Sequence, residues 1–335
     1  MKSHRSWIVA ALALTAALLA VAFVPQLLGS EVQQALHGLS HARPVWLWLA
    51  GLGFLGSLAG SAAAWRSALG LVGGRVAPLD AGARYGVGSL VNSLAPARIG
   101  DAVRIALFSH ALDEDERVWR TGGVFAALGA ARAFVMALLV VAGSLAGALP
   151  LWPVLVCVGF VAIAAAVAIG SRNRTARSHV AHLLDAFRAL GREPGRSTRI
   201  VGWIAFGTLC RLGAAASIAA ALGVHGPLAA AVIIVAVLDL AGIMPLTPGN
   251  VGVTSGAVAM ALSAHGVSMT TALTTGIAFH GVETAAGLTV GLASALFLAP
   301  FSSPGTRRWA VVAGTAFGCL VLVAGFSATV LADMV

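Results

Sequence analysis

The sequence predicts an all-α, polytopic membrane bundle: about eight transmembrane helices plus two broken or re-entrant helical segments, with an internal repeat as an open feature. Three observations predict it. Of the 335 residues, 59% are hydrophobic and only 10% are charged, and the mean hydropathy is +0.93. Several apolar runs are long enough to cross a bilayer. The runs are continuous rather than alternating, which argues against a β-barrel. No stretch is long and mixed enough to build a separate soluble domain, so one integral membrane domain over residues 1–335 is expected.

Net charge is +9, from 21 Lys+Arg against 12 Asp+Glu, with Lys2 the only lysine. Such an excess attracts anionic lipid or a phosphate-bearing substrate. Arginine-rich loops that set topology account for most of it. Nucleic-acid binding has no support, because no soluble basic module exists to carry it. Cys157, Cys210 and Cys319 each lie within an apolar run. They offer neither a disulfide framework nor metal-ligand spacing, so no metal and no cofactor is expected.

The first apolar run is about Trp7 to Leu28, after Lys2 and Arg5. Ala20-Val21-Ala22 resembles a cleavage site, but the run is long and the chain polytopic, so a retained span with a cytoplasmic N-terminus is expected. The second span runs about Val45 to Ala64, closed by Trp65 and Arg66. Gly86 to Ala95 is too short to cross, and Pro96 and Gly100 break whatever helix it starts. Gly86 to Leu112 therefore reads as a re-entrant element from the cytoplasm. The third span is about Thr121 to Ala148 and the fourth about Val154 to Gly170. The loop Ser171 to Arg199 holds seven arginines, the strongest cytoplasmic signal in the chain. It requires the Pro96 element to return to the side it entered from. The fifth span is about Ile200 to Leu222, the sixth about Leu228 to Met244, and Val253 to Ala264 a short helix. The seventh run is about Thr270 to Leu298 and the last about Trp309 to Leu331. If the short helix is re-entrant, Arg307-Arg308 falls outside; if it crosses, the pair falls inside, as charge bias prefers.

Arg132, Arg211, Asp239 and Glu283 sit well inside these runs, with His280 one turn before Glu283. A charge at the bilayer centre costs at least about 2.5–3.5 kcal/mol, so two arginines and two carboxylates are expected to neutralise each other within the bundle. Helical spacing puts His280 and Glu283 on one face. Register-fixing ion pairs are one reading. A wet cavity that accepts an anionic head group or relays a proton is the other.

Two stretches share the pattern Leu-x-Pro-x-x-(Ile/Val)-Gly: Leu94 to Gly100, and Leu246 to Gly252. The first continues into Asp101 and Arg104 and contains Arg98. Arginine holds phosphate with a bidentate fork, and a helix starting near Gly100 adds backbone N–H groups. Asp101 is placed to cap that helix and to orient an arginine. The second, with Pro248 and Asn250, reads as a broken helix lining the same cavity or as a plain turn. Asn92 precedes the first break.

Asn92-Ser93-Leu94-Ala95-Pro96-Ala97-Arg98-Ile99-Gly100-Asp101-Ala102-Val103-Arg104 resembles the Pro-x-Arg-x-Gly-Asp-x-x-Arg signature of the lysylphosphatidylglycerol synthase transmembrane-region family, also described as flippase-like membrane proteins. Pro245 to Gly252 is similar to its Pro-x-x-Pro-Gly-Gly-x-Gly signature. Asn250 stands where that family usually has glycine, Thr254 and Ser255 where a glutamate commonly follows, and His280 where many members carry arginine. The resemblance implies translocation of a lipid across the bacterial inner membrane: an anionic or aminoacylated phospholipid, or a polyprenyl-phosphate-linked sugar. Its path would pass Arg98, Asp101 and Arg104, then Arg132, Arg211, Asp239, His280 and Glu283, and leave past the second break. No Gly-x-x-x-x-Gly-Lys-(Ser/Thr) loop occurs, so energy would come from a gradient or not at all. A transporter rather than an enzyme is expected, with membrane lipid as partner. A homodimer and a partner synthase or glycosyltransferase stay open. A head-group enzyme and a scaffold for such a partner are the alternative functions.

Overall fold

A computed structural model describes residues 42–94, 99–112, 117–145, 147, 192–241 and 251–299. The expected spans at 7–28, 154–170 and 309–331 lie outside the described residues. Among the described residues there are eight α-helices and no strand. They are α1 (Pro44–Leu69), α2 (Pro78–Leu94), α3 (Ile99–Ser109), α4 (Arg117–Leu145), α5 (Pro194–Ala221), α6 (Pro227–Ala241), α7 (Val251–Ser263) and α8 (Met269–Leu298). Four of them, α1 (with the 3-10 turn that follows it to Val72), α4, α5 and α8, are long and apolar enough to cross a membrane. Leu52, Phe134, Leu138, Leu209 and Met260 point outward from these helices and α7 and are exposed. That distribution suits a hydrocarbon solvent.

Helix starts follow local chemistry. Proline opens α1, α2, α5 and α6, where its missing N–H would have no helical partner and its φ is already set. The Ser268 hydroxyl accepts from the Thr271 amide at 3.3 Å and caps α8. At the end of α5, Gly223 adopts φ 72° while the Val224 amide donates to the Ala219 carbonyl at 2.9 Å. That left-handed residue turns the chain straight into α6.

α1 and α5 form the closest helix pair, and they run antiparallel. The Arg43 amide donates to the Ala221 carbonyl at one end (3.2 Å). The Arg196 guanidinium donates to the Gly70 carbonyl at the other (3.1 Å). Between them the backbones nearly touch: a Cβ on Gly60 would lie 3.0 Å from Gly207 Cα and from the Trp203 carbonyl oxygen. Small residues allow this approach where no hydrophobic effect drives helices together.

The end that carries Arg66 and Arg196 also receives both ends of the α2–α3 hairpin. The Arg66 Nε–H donates to the Val76 carbonyl just before α2 (2.9 Å). Phe108, near the close of α3, stacks on Trp65 with ring centroids 4.7 Å apart. The expected return of the Pro96 element to its side of entry is thus met. Its start moves, however, from Gly86 to Pro78, because Asp80 and Arg84 form the first turns of a helix rather than a loop.

The expected sixth span shortens. α6 has 15 residues and α7 has 13, about 22 and 20 Å of helix against a hydrocarbon core of about 30 Å. They share a buried apolar cluster with the first half of α1 and the last half of α5, including Leu47, Ile218, Val224, Ile234 and Leu262. α6–α7 therefore enters from the end opposite α2–α3. α8 joins the two: Gly276 lies against Ser255 of α7, and Gly291 against Gly86 and Leu90 of α2. It runs antiparallel to α2 and so finishes at the Arg66 end. Neither expected alternative holds as stated: α6 and α7 together enter and return to one end, and α8 makes the crossing; Arg307 and Arg308 themselves lie outside the described residues.

The two halves share one order: long helix, two short helices, long helix. Pro44 answers to Pro194, Pro78 to Pro227, Ile99 to Val251 and Arg117 to Met269, at offsets of 150, 149, 152 and 152 residues. The two Leu-x-Pro motifs are also 152 apart, Pro96 against Pro248. Since α1 and α5 run in opposite directions, the halves are inverted with respect to each other.

Candidate functional site

Two polar groups lie inside this bundle. The first sits where α5, α6 and α8 meet. Arg211 NH1 donates to Asp239 Oδ1 in a short contact, and Arg211 NH2 lies 3.4 Å from Glu283 Oε1. His280 Nδ1 is 3.7 Å from Glu283 Oε2. On its other side, Nε2 forms a short hydrogen bond with the Thr254 hydroxyl of α7. One guanidinium thus serves two carboxylates, and it also lies 5.6 Å from the centre of the Phe279 ring. Arg211 Nε is buried and finds no hydrogen-bond partner among the described residues; the same holds for Ser255 Oγ. His280 is buried, whereas the Glu283 side chain is 36% exposed, so one edge of the group is open.

The second group locks α2 to α3. Arg104 NH1 donates to Asp101 Oδ1 at 2.5 Å, NH2 to Ser89 Oγ at 2.8 Å, and Nε to the Tyr85 carbonyl at 3.5 Å. The guanidinium also lies over the Tyr85 ring, 4.1 Å from its centre. Asn92 Nδ2 donates to the same Asp101 oxygen at 3.2 Å. The helices close on glycine here: a Cβ on Gly100 would fall 2.0 Å from the Gly88 carbonyl oxygen. Asp101 orients an arginine, as the sequence suggested, and that arginine is only 11% exposed and engaged on most of its donors.

Arg132 stands apart from both carboxylates. It is exposed in the middle of α4, and its NH2 lies 3.4 Å from the Ser61 hydroxyl of α1. The Tyr85 hydroxyl is within hydrogen-bonding reach of both Ser61 and Arg132. The expected mutual neutralisation of two arginines by two carboxylates is therefore corrected: among the described residues the ion pairs gather Arg211, Asp239 and Glu283 and leave Arg132 without an acidic partner. Arg132 is instead turned to the Ser61 hydroxyl of α1. Arg98, Pro248 and Asn250 lie outside the described residues.

Tyr85, Ser89 and Ser61 were not legible as site residues. The one available signal was that Tyr85 is the only tyrosine in the chain, next to Arg84 in an otherwise apolar region. Thr254 was noted only as a departure from a motif, yet it holds His280.

Apolar spanning helices, two inverted pairs of short helices and ion pairs at mid-depth define an integral membrane protein with a polar interior. The chain belongs to the lysylphosphatidylglycerol synthase TM region family, whose model matches residues 8–291. No curated protein gives a significant match to the chain.

Proposed function

We propose that this protein moves a lipid between the leaflets of the bacterial inner membrane, as a flippase or scramblase, with its N-terminus in the cytoplasm. The substrate class is an anionic or aminoacylated phospholipid, or a polyprenyl-phosphate-linked sugar. One observation carries the reading: two short-helix hairpins approach from opposite ends, and both pack on α8 beside charged side chains at mid-depth. Inverted halves with broken helices suit a site reached alternately from each side. Charges at that depth are retained where they face a cavity or pathway.

The head group's phosphate would meet arginine. Arg98 follows the first break in sequence, and Arg132 presents a guanidinium that has no carboxylate partner among the described residues, beside the hydroxyls of Ser61 and Tyr85. Arg104 and Asp101 would shape the entrance by fixing the hairpin. Asn92, Pro248 and Asn250 would line the two breaks, and Arg211, Asp239, His280 and Glu283 the passage between them.

The test uses purified protein in liposomes with fluorescent or isotopically marked lipids. Movement between leaflets supports transport; new lipid species would indicate a head-group enzyme; neither would favour a scaffold for a synthase or glycosyltransferase. A folded Arg98→Ala, Arg104→Ala double variant is expected to lose transport. If it moves lipid at the parent rate, the proposed path is wrong.

A further inference from the structure

We infer that Glu283 and His280 together hold one exchangeable proton, and that this proton couples lipid movement to a pH gradient; the coupling rests on the proposed transport function, whereas the proton site stands without it. The argument starts from charge. Arg211 carries one positive charge and faces Asp239 and Glu283, so with neutral His280 the group keeps one uncompensated negative charge. In a membrane interior such a charge is costly, and one bound proton removes it.

Geometry says where the proton goes. Asp239 has the shorter contact with Arg211. Glu283 is held more loosely, at 3.4 Å from Arg211 and 3.7 Å from His280, and it is the more exposed of the two carboxylates. The groups that face the pair are Arg211 from α5, Asp239 from α6, and the hydroxyl of Thr254 from α7; from α1, the Phe54 ring lies edge-on to the neighbouring Phe279 with centroids 4.9 Å apart. From α2, Tyr85 interacts electrostatically with Arg211. No second cation among the described residues neutralises the group.

The proton has a mechanical readout. With His280 neutral and its Nδ1–H turned to Glu283, Nε2 accepts from the Thr254 hydroxyl. With the imidazole protonated, Nε2–H donates instead, and the Thr254 hydroxyl must turn its own hydrogen elsewhere. The buried Ser255 hydroxyl, without a hydrogen-bond partner among the described residues, is its neighbour in the chain. Protonation on α8 thereby rearranges its hydrogen bond to α7, the second arm of the hairpin that enters from the far end. The proton is taken from water on one side and released to the other, so one lipid movement carries one proton across.

Two measurements separate the site from the coupling. In the first, a pH titration of purified protein in detergent counts bound protons: the parent is expected to take up one more than Glu283→Gln. Equal uptake overturns the site. Should Glu283→Gln fail to fold, the His280 ring signals of nitrogen-labelled parent, assigned by their loss in His280→Gln, are expected to move with pH; signals that stay fixed overturn the site. In the second, a gradient of one pH unit across liposomes is expected to shift the leaflet ratio of a marked lipid by up to about tenfold, the limit for one proton per lipid. Glu283→Gln is expected to give a ratio unaffected by the gradient. Lipid movement indifferent to pH in the parent overturns the coupling and leaves the transport function standing. A response to a sodium gradient in place of a proton gradient overturns the proton. No movement at all sinks the transport function, and the titration then decides the site alone.

Discussion

Gly60→Ala is the sharpest test of the packing between α1 and α5. A methyl group at this position would lie 3.0 Å from Gly207 Cα, Gly207 N and the Trp203 carbonyl oxygen. All three are backbone atoms, so no side chain can swing away and the two helices must separate. Overpacking of this kind costs about 1–3 kcal/mol. Alanine also favours a helix over glycine by roughly 1 kcal/mol, which masks part of the loss. Gly51→Ala, one helix face away on α1, removes that ambiguity: its added methyl meets nothing within 4 Å. The stability difference between the two variants is therefore expected to be the full 1–3 kcal/mol or so. The measurement is unfolding in mixed detergent micelles followed by far-ultraviolet circular dichroism. Equal unfolding midpoints for Gly60→Ala and Gly51→Ala would show that α1 and α5 are not in backbone contact.

Two further outcomes follow from the polar groups. Arg211→Gln leaves Asp239 and Glu283 facing each other without a cation, and it is expected to destabilise the bundle by about 1.5–3 kcal/mol, read by the same unfolding measurement; a neutral result would mean that the carboxylates do not depend on Arg211. Arg104→Lys keeps the charge but cannot reach Asp101, Ser89 and the Tyr85 ring together, so it is expected to loosen the α2–α3 hairpin and raise amide hydrogen exchange there, with α6–α7 unchanged.

The long helices were legible because their signal is local. The apolar run expected at 270–298 is α8 within one residue, and that at 200–222 is α5 apart from nearly two extra turns from Pro194. A break after Leu94 was legible for the same reason, but Gly100, expected to help make it, is already inside α3, and Pro96 lies outside the described residues. What failed was the beginning of α2. Arg84 falls before the expected start at Gly86, yet its NH1 donates to the Leu107 carbonyl across the hairpin at 2.7 Å, a partner 23 positions away. Charge pairing divided along the same line. His280 and Glu283, three positions apart, were expected on one face and are. Arg211 and Asp239 are 28 positions apart on different helices, and periodicity gives no way to choose Asp239 for Arg211 rather than for Arg132. The repeat was only a short echo in the sequence; the constant spacing of eight helix starts turns it into architecture.

The 30 residues of α8 bear on an arm from each end, Ser255 near its start and Leu90 near its close. A slide of one turn, about 5.4 Å, would disturb both contacts in the same stroke. The two hairpins thus share one supporting helix, and a displacement of either arm is passed to the other through it.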